Sequence, residues 1–419
     1  MPNRLATSNV TDLILEAKEI ARHEIGDVAP PVQQAAKWPI ACNVGAGLED
    51  APAAESRIGV VDGERGQLVY RGFEIFDLAA FSTYEETSYL LIHGALPTAE
   101  QLAAHTASLR GAMGLLPVTL SLMKSLPILK MSSMAMLEAA VMGAHAAEAE
   151  AGALGDGFGL SAVHRLIAQL MTGTGIVARL RAGLDPIEPD PALSHAANLI
   201  YVTTGHRPGP VEERIMDVAL ILHADHGMNA STFTAMVVTS TLSDAFFATS
   251  AGLGALKGPL HGGANEAVLD DLLEIGSAAA VEEWFEKGRA TKRKVMGMGH
   301  REYKAYDPRA RVLKPLARML AAQRPDTAKL FETAEALETL AVAKMGGKGI
   351  FPNVDFYSGL CYTAMGIETA MFTPLFAVSR VAGWMARCTE YRKNNRIFRP
   401  GEYYIGDVDK DYVAIADRA

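Results

Sequence analysis

The chain has 419 residues, and its composition of 49% hydrophobic and 21% charged residues excludes a disordered protein and is sufficient for a large core. The net charge of −9 argues against nucleic acid as a main partner, because the phosphate backbone is itself negative. The three cysteines, Cys42, Cys361 and Cys388, are far apart and form neither a disulfide framework nor a metal-binding spacing. Since no secretory signal is visible in the first residues, we expect a cytoplasmic protein.

Residues 1–54 are expected to form an N-terminal arm of unknown role. Within it, VTDLILEAKEIARHE (10–24) has apolar residues at helical spacing, and APPVQQ (29–34) should end that helix. The next segment, SRIGVVDGERGQLVYRG (56–72), has β-branched residues on both sides of an Asp-Gly pair. This is the strongest hairpin signal in the chain, and it predicts a short β-hairpin before the helical part.

Helical periodicity dominates the sequence that follows the hairpin. Apolar residues recur three and four positions apart in residues 83–94, 135–152, 192–205, 211–227 and 328–345. Since no series of strands alternates with these segments, a parallel sheet is disfavoured and the predicted fold class is all-α, mainly helical. The run 230–256 is long enough to raise the question of a membrane, but it contains Asp244 and many Ser, Thr and Gly residues. We therefore expect a buried helix there and no membrane partner.

Two histidines lie among glycines. His261 lies in GALKGPLHGGANEAV (254–268), and His300 lies in VMGMGHREYKAYDPRA (295–310). Glycine permits tight turns and also lets a ligand approach the backbone closely. The pattern is therefore compatible with turns that carry incidental histidines, or with histidines that face a ligand.

The second glycine-rich segment leads into a basic region. DPRA predicts a helix start with Asp307 as N-cap, which would place Arg309 near a helix N-terminus, a good site for a carboxylate. Pairing of Arg309 with a local acid is an equal alternative. Between residues 287 and 318, eleven basic residues are opposed only by Glu302 and Asp307. This excess favours a small polyanionic ligand, although the outermost lysines fit a solvated helix face better.

Several other polar residues stand in apolar surroundings. Asp355 precedes a helical run and could cap that helix or act as a base, with capping the commoner role. Arg380 interrupts an apolar helix and needs an anion. His223 and His226 are three apart, but no glutamate follows in a metalloprotease arrangement, so a core or substrate-binding role is more plausible than a metal site. Arg399 precedes a proline near the end, in a segment that could cross to a neighbouring subunit or simply lie on the surface.

Taken together, these segments resemble the citrate synthase family, in the family's order and at about its spacing. The segments are LHADHGMNAST, GALKGPLHGGANEAV, GMGHREYKAYDPRA, FPNVDFYSGL, LFAVSRVAGW and RIFRPGEYYIG. The resemblance includes the predicted hairpin and runs from about residue 55 to the end, with short bacterial-type members as the most similar. It does not cover the N-terminal arm.

The resemblance implies a fold, an assembly and an activity. A large helical domain would comprise residues 55–262 and 365–419, and a smaller inserted helical domain, residues 263–364, would close over the substrate. The protein would be a homodimer or an assembly of dimers with an active site shared between chains. It would condense acetyl-CoA with oxaloacetate and water to give citrate and CoA, the entry step of the tricarboxylic acid cycle. The reaction would use neither a metal nor a redox cofactor.

The resemblance also assigns roles to matching positions. The catalytic residues would be His261, His300 and Asp355. The oxaloacetate ligands would be His226, Arg309, Arg380 and Arg399. The candidates for CoA binding are Met296, Gly297, Met298, Arg301 and Lys304. One position departs from the family pattern, because Gly401 stands where many members have a second basic residue.

Two other functions are compatible with parts of this pattern. A 2-methylcitrate synthase, which uses propionyl-CoA, would share every residue named above. The two substrates differ by one methylene, which is worth only about 1–3 kcal/mol of discrimination. A non-catalytic helical scaffold is the other alternative, but a scaffold has no physical need for buried titratable groups.

Overall fold

A computed structural model of the protein describes residues 3–25, 36–155, 157–408 and 410–418. Across these residues the chain forms seventeen α-helices and one small three-stranded sheet, so the predicted mainly helical fold class is confirmed. The helix-ending segment predicted at 29–34 lies outside the described residues.

In the first half of the chain the helices are α1 (Asn3–Ile25), α2 (Ile75–Phe81), α3 (Tyr84–His93), α4 (Ala99–Ala112), α5 (Pro117–Ser125), α6 (Ser133–Glu150), α7 (Leu160–Arg181) and α8 (His195–Thr204). In the second half they are α9 (Pro210–His223), α10 (Ala230–Ser240), α11 (Ala245–Leu256), α12 (Ala264–Ile275), α13 (Val281–Ala290), α14 (Pro308–Ala321), α15 (Pro325–Met345), α16 (Val354–Ala364) and α17 (Phe372–Arg392).

The sheet contains the predicted hairpin and one further strand. Strands β1 (Gly59–Asp62), β2 (Gln67–Tyr70) and β3 (Phe73–Glu74) pair antiparallel in sequence order. The connection between β1 and β2 spans residues 63–66, because Asp62 pairs with Gln67. Strand β3 was not predicted, since a strand of two residues is too short to show alternation.

The hairpin turn packs on the segment that contains His300. A Cβ atom at Gly63 would lie 2.1 Å from the carbonyl oxygen of Glu302, so only glycine fits at this contact. The backbone N–H of Lys304 donates to the carbonyl of Gly63 at 3.0 Å. The small sheet therefore supports one edge of the candidate site.

The run 230–256 forms two helices, α10 and α11, so the prediction of a single buried helix is wrong. Asn229 caps α10 through Thr232, and Asp244 caps α11 by accepting from the backbone N–H groups of Phe246 and Phe247. Capping by Asp244 starts a second helix where the apolar composition suggested continuity. Among the described residues, no helix is both long enough and apolar enough to cross a membrane.

Helices α7 and α17 form the centre of the core. Nearly every residue of α7 from Ala162 to Ala178 and of α17 from Phe372 to Cys388 is buried. Helix α17 packs against α3, α7, α9, α10 and α11. A helix that is buried on all sides must find partners within the protein for its polar groups. The buried arginines of α17, Arg380 and Arg387, therefore require acceptors or anions in the core.

The N-terminal arm contributes helix α1 to the core. Its buried apolar side chains are Val10, Ile14, Ala17 and Ala21. Helix α1 packs against α2, α9 and α14. Lys18 of α1 donates to Asp77 of α2, and Glu24 of α1 accepts from Arg311 of α14. The arm is thus attached to elements that are far apart in sequence.

Replacement of Ile14 by alanine should destabilise the protein by about 2–5 kcal/mol, because Ile14 is completely buried and alanine leaves a cavity. Ile20→Ala on the same helix is the matched control, since Ile20 is 45% exposed, and its effect should stay within about 0.5 kcal/mol. Urea denaturation followed by circular dichroism measures both. Equal, small losses for the two variants would show that α1 does not contribute to the core.

Candidate active site

A buried ion pair joins the α9–α10 loop to helix α17. Arg387 donates from Nε and Nη2 to the two carboxylate oxygens of Asp225, at 2.7 Å each. A Cβ atom at Gly383 would lie 2.2 Å from the carbonyl oxygen of Ala224, so the loop and the helix pack in close contact. His226, the next residue of the loop, is therefore held beside the helix that carries Arg380.

Arg380 is the buried arginine without a carboxylate partner. It is 1% exposed, its Nε donates to the carbonyl of His223 at 2.6 Å, and its guanidinium lies 4.5 Å from the ring centre of Phe376. Within the described part of the chain no carboxylate pairs with it, and its buried Nη2 has no hydrogen-bond partner. Burial lowers the pKa of Arg380 to about 10, so it remains a cation at neutral pH. Such a group needs an anionic ligand.

Asp307 connects Arg309 to the start of helix α16. It caps α14, and its two oxygens accept from Nε and Nη2 of Arg309 at 3.0 and 2.8 Å. It also accepts from the backbone N–H of Val354 at 3.2 Å. Burial would raise the pKa of Asp307, but the Arg309 guanidinium outweighs this effect and holds the pKa below its usual value. The predicted cap is present, and the local-acid alternative for Arg309 is realised by the same residue.

Asp355 is the second residue of α16 and leaves the capping role to a neighbour. The side chain of Asn353 accepts from the backbone N–H of Asp355, so the helix-capping interpretation of Asp355 is wrong. Its Oδ1 is buried without a hydrogen-bond partner. Burial raises the pKa of Asp355 to about 7, with Arg309 and Arg380 opposing this shift. The carboxylate is therefore poised to accept a proton near neutral pH.

His300 is fixed in one tautomer by its own segment. Its Nδ1 accepts from the backbone N–H groups of Glu302 and Tyr303, at 2.9 and 3.2 Å. Burial lowers the pKa of His300 to about 4, so the ring is neutral and Nε2 carries the proton. The ring of His226 lies 5.1 Å from it, and the Tyr303 hydroxyl lies 3.2 Å from Nε2 of His226.

His261 lies two residues before Gly263, the N-cap of α12. Its Nε2 accepts from the backbone N–H of Ser231 at 3.3 Å and lies 2.9 Å from Oγ of Ser231. Burial, together with the charge of Arg380, lowers the pKa of His261 to about 4. With Nε2 as an acceptor, Nδ1 carries the proton of the neutral ring.

The two glycines that follow His261 have different surroundings. A Cβ atom at Gly262 would lie 2.5 Å from the carbonyl oxygen of Leu256, so Gly262 is required by the turn. A Cβ atom at Gly263 would meet no atom within 4 Å. The turn is therefore tightly packed at Gly262 and open at Gly263.

The segment 295–299 packs against the start of α16. Gly297 has a φ of +71°, and a Cβ atom there would lie 3.0 Å from Cα of Phe356. The carbonyl of Gly297 accepts from the N–H of Asn353, and the N–H of Met296 donates to Asp271 at 3.1 Å. Met298 pairs with Pro352 in an isolated bridge. Backbone groups of Met296, Gly297 and Met298, the candidates for CoA binding in this segment, therefore form hydrogen bonds within the protein.

The basic excess between residues 287 and 318 is largely neutralised by acids from elsewhere in the chain. The pairs are Lys287–Glu283, Arg289–Glu286, Arg293–Glu274, Arg301–Glu49, Arg309–Asp307, Arg311–Glu24, Lys314–Glu338 and Arg318–Glu335. Arg301 and Lys304 are exposed, and Lys304 donates to the carbonyl of Arg301 at 3.1 Å. The interpretation that only Glu302 and Asp307 oppose these cations is wrong, because the other partners lie outside residues 287–318, some of them just before this range and others distant in sequence.

Arg399 is not brought to the site within this chain. It is exposed, and its Nη1 donates to the carbonyl of the adjacent Pro400 at 3.1 Å. The other predicted oxaloacetate ligands, His226, Arg309 and Arg380, lie in one cluster with the catalytic candidates. Burial lowers the pKa of His226 and raises that of Asp355, and the charges of Arg309 and Arg380 act to lower both, which shows that these groups are close to one another.

Three site residues were missed or underestimated by sequence reasoning. Ser231 contacts His261, Tyr303 contacts His226, and Asp307 was expected only as a helix cap. No local pattern marks Ser231 or Tyr303, since their partners lie thirty or more residues away in sequence. Across the described residues no group of three His, Cys, Asp or Glu side chains is arranged to hold a metal.

The chain is similar in sequence to a family of known proteins. A sequence model of the family described as "Citrate synthase, C-terminal domain" matches residues 47–401. The chain is 41% identical to the citrate synthase of Deinococcus radiodurans over 376 residues, which cover 90% of this chain and 99% of that one. It is 43% identical to the citrate synthase of Synechocystis over 374 residues, which cover 89% and 93%.

Solved structures give the same result. A citrate synthase from Thermoplasma acidophilum, in a ternary complex with carboxymethyl coenzyme A and oxaloacetate, superposes with a TM-score of 0.84 at 34% identity. The match covers 90% of this chain and all of that one. The citrate synthase of Pyrobaculum aerophilum superposes with a TM-score of 0.81 at 41% identity, covering 89% of this chain and 95% of the other. The family match begins after helix α1.

Proposed function

The chain belongs to the citrate synthase family, and from this membership we infer that it condenses acetyl-CoA with oxaloacetate and water to give citrate and CoA. It is then an acyltransferase that converts an acyl group into an alkyl group on transfer. The observation that carries the proposal is the position of Asp355. This carboxyl group has a raised pKa and is influenced by the charges of two buried arginines, Arg309 and Arg380.

Formation of the nucleophile is assigned to Asp355 and His261. Asp355 removes a proton from the methyl group of acetyl-CoA and becomes a neutral carboxylic acid. The negative charge then develops on the thioester oxygen, where Nδ1–H of His261 donates a hydrogen bond. Because this imidazole is neutral, it stabilises the enol oxygen without first transferring a full proton.

Carbon–carbon bond formation is assigned to His300 and the arginines. The enol carbon attacks the ketone carbon of oxaloacetate, and Nε2–H of His300 gives its proton to the ketone oxygen, which becomes a hydroxyl. The proton that Asp355 removed from acetyl-CoA then replaces the one given by His300, so that both side chains return to their starting states. His226, Arg309 and Arg380 hold oxaloacetate, and this orientation supplies a gain of the order of 7–11 kcal/mol in ideal cases. Water then cleaves the citryl thioester and releases CoA.

CoA binding is proposed at the exposed end of the site. Segment 295–299 would contact the adenine, and Arg301 and Lys304 would contact phosphates. The pairing of Arg301 with Glu49, at 3.3 Å on the surface, has to be exchanged for a phosphate. An exposed pair of this kind is worth only about 0–1 kcal/mol, so the exchange costs little.

We propose further that the protein is a cytoplasmic homodimer, or an assembly of dimers, with a shared site. The described residues after Asn394 form an extended tail, and Tyr403 and Ile405 in it are almost fully exposed in the single chain. A large apolar surface of this kind favours burial against a second copy. Arg399 belongs to the same tail and would reach the partner's oxaloacetate site.

The proposed activity predicts release of free thiol when the protein is mixed with oxaloacetate and acetyl-CoA. Detection of CoA with a thiol reagent measures it, and propionyl-CoA is the comparison substrate. We expect a higher kcat/KM with acetyl-CoA, and Asp355→Asn should lower turnover by at least about 100-fold. Preference for propionyl-CoA would instead indicate a 2-methylcitrate synthase. Absence of thiol release with both substrates would indicate a non-catalytic scaffold.

The raised pKa of Asp355 predicts the pH dependence of the reaction. The base must be ionised, so kcat/KM for acetyl-CoA should fall as the pH decreases through about 7. Well below that value the fall should approach about tenfold per pH unit. His261 and His300 have pKa values near 4, so their titration adds no further change in rate between about pH 5.5 and 8.5. Rates from about pH 5.5 to 8.5 give the profile, with recovery of activity at high pH as the stability control. A profile that is flat down to pH 6 would contradict the assignment of the base.

The shared site predicts complementation between two inactive variants. Arg399→Ala and His300→Ala should each be nearly inactive alone. After subunit exchange, a mixed dimer contains one site with an intact His300 and an intact Arg399. Random exchange makes half of the dimers mixed, so activity should return to at most about a quarter of the wild-type value. Demonstrated exchange without recovery would show that Arg399 does not serve the neighbouring site.

A further inference from the structure

One buried carboxylate near the site accepts hydrogen bonds from two tyrosine hydroxyls and forms an ion pair with a lysine, all on other elements. Glu338 of α15 is 5% exposed. Its Oε1 accepts from the hydroxyl of Tyr306 at 2.5 Å. Its Oε2 accepts from the hydroxyl of Tyr357 and forms an ion pair with Nζ of Lys314 at 2.7 Å. No role assigned above uses this cluster.

The three partners of Glu338 lie close in sequence to the residues that meet the substrates. Tyr306 directly precedes Asp307, and Lys314 lies on α14, the helix that begins beside Arg309. Tyr357 lies on α16, two residues after Asp355. Glu338 therefore connects the helix of an oxaloacetate ligand to the helix of the base, from a position on a third helix.

The cluster has a single consistent arrangement of protons. Burial, together with the charge of Glu338, raises the pKa of both tyrosine hydroxyls, so each keeps its proton and donates it. Lys314 supplies the opposite charge that a buried carboxylate requires. Hydrogen bonds to a charged acceptor are about twice as strong as neutral ones, so the cluster is a rigid connection.

We propose that Glu338 is a positioning residue for the condensation, setting the distance and orientation of Asp355 relative to Arg309. The proposal rests on the proposed function. Asp307 already connects the two helices at their first residues, through Arg309 and Val354. Helix α16 also packs along α14 and α12, and Glu338 adds a second polar connection one turn beyond the contact with Asp307. A displacement of about 1 Å between reacting groups can lower a rate by about 100-fold, so the second connection matters for catalysis.

The test compares Glu338→Gln with Glu335→Gln. Glutamine keeps the size of Glu338 but presents an amide donor to groups that are themselves donors. Glu335 lies one turn earlier on α15 and pairs with Arg318 at the surface, so its variant controls for the loss of one carboxylate from this helix. The measurements are the KM for oxaloacetate and the isotope effect on kcat with acetyl-CoA deuterated at the methyl group.

Glu338→Gln should raise the KM for oxaloacetate by about tenfold through Arg309, and it should raise the isotope effect because proton removal by Asp355 becomes slower. Neither quantity depends on the fraction of folded enzyme, so a merely structural role would lower the maximal rate and change neither. Glu335→Gln should leave both at the wild-type value. If both quantities stay unchanged in Glu338→Gln, or change equally in the control, the inference is overturned.

Two milder variants keep the proposal testable if Glu338→Gln does not fold. Tyr306→Phe and Tyr357→Phe each remove one donor and should change the same quantities in the same direction by about two- to tenfold. Wild-type values in both tyrosine variants would overturn the inference. A wild-type protein that releases no thiol would overturn the proposed function together with this inference, whereas an active protein insensitive to all these changes overturns the inference alone.

Discussion

The burial of positive charge in a helical core is the constraint on which the site depends. A guanidinium removed from water is stable only beside an anion or several acceptors. Arg387 has Asp225, and Arg309 has Asp307, each through two hydrogen bonds. Arg380 has one carbonyl acceptor and one unused buried nitrogen. The two satisfied pairs connect the surrounding elements, and the unsatisfied arginine is the group to which we propose that an anionic substrate binds.

The same burial explains the protonation states around that arginine. Loss of solvent disfavours every charged form, so it lowers the pKa of a histidine and raises the pKa of a carboxyl group. Burial is the largest cause in each case: it lowers the pKa of His261 and His300, the proposed donors, and it raises the pKa of Asp355, the proposed base. The histidines then differ only in which nitrogen carries the proton, and their hydrogen bonds to nearby backbone N–H groups fix that choice. A single environment thus prepares a base and two donors.

Local patterns in the sequence were sufficient for the mainly helical fold class, the cap at Asp307 and the buried position of Arg380. They were insufficient wherever the outcome depends on a partner that is distant in sequence. The cap of α16 is Asn353, which frees Asp355, and the basic residues of α14 find acids on α1 and α15. Periodicity reports which face of a helix is buried, but it does not report which other element covers that face. For the same reason Ser231 and Glu338 were not predicted as members of the site or its support.

The position of α1 has a consequence for the order in which the chain folds. Its apolar face is synthesised first, whereas one of the surfaces that covers it, α14, begins at Pro308. At about 5–20 residues per second, ribosomal synthesis separates the two by roughly 15–60 s. During this interval α1 can pack only on the earlier helices, so its final burial is completed after most of the polypeptide has left the ribosome. Contact of α1 with α14 therefore forms late in the assembly of the chain, and until then the part of α1 that faces α14 is available to a chaperone.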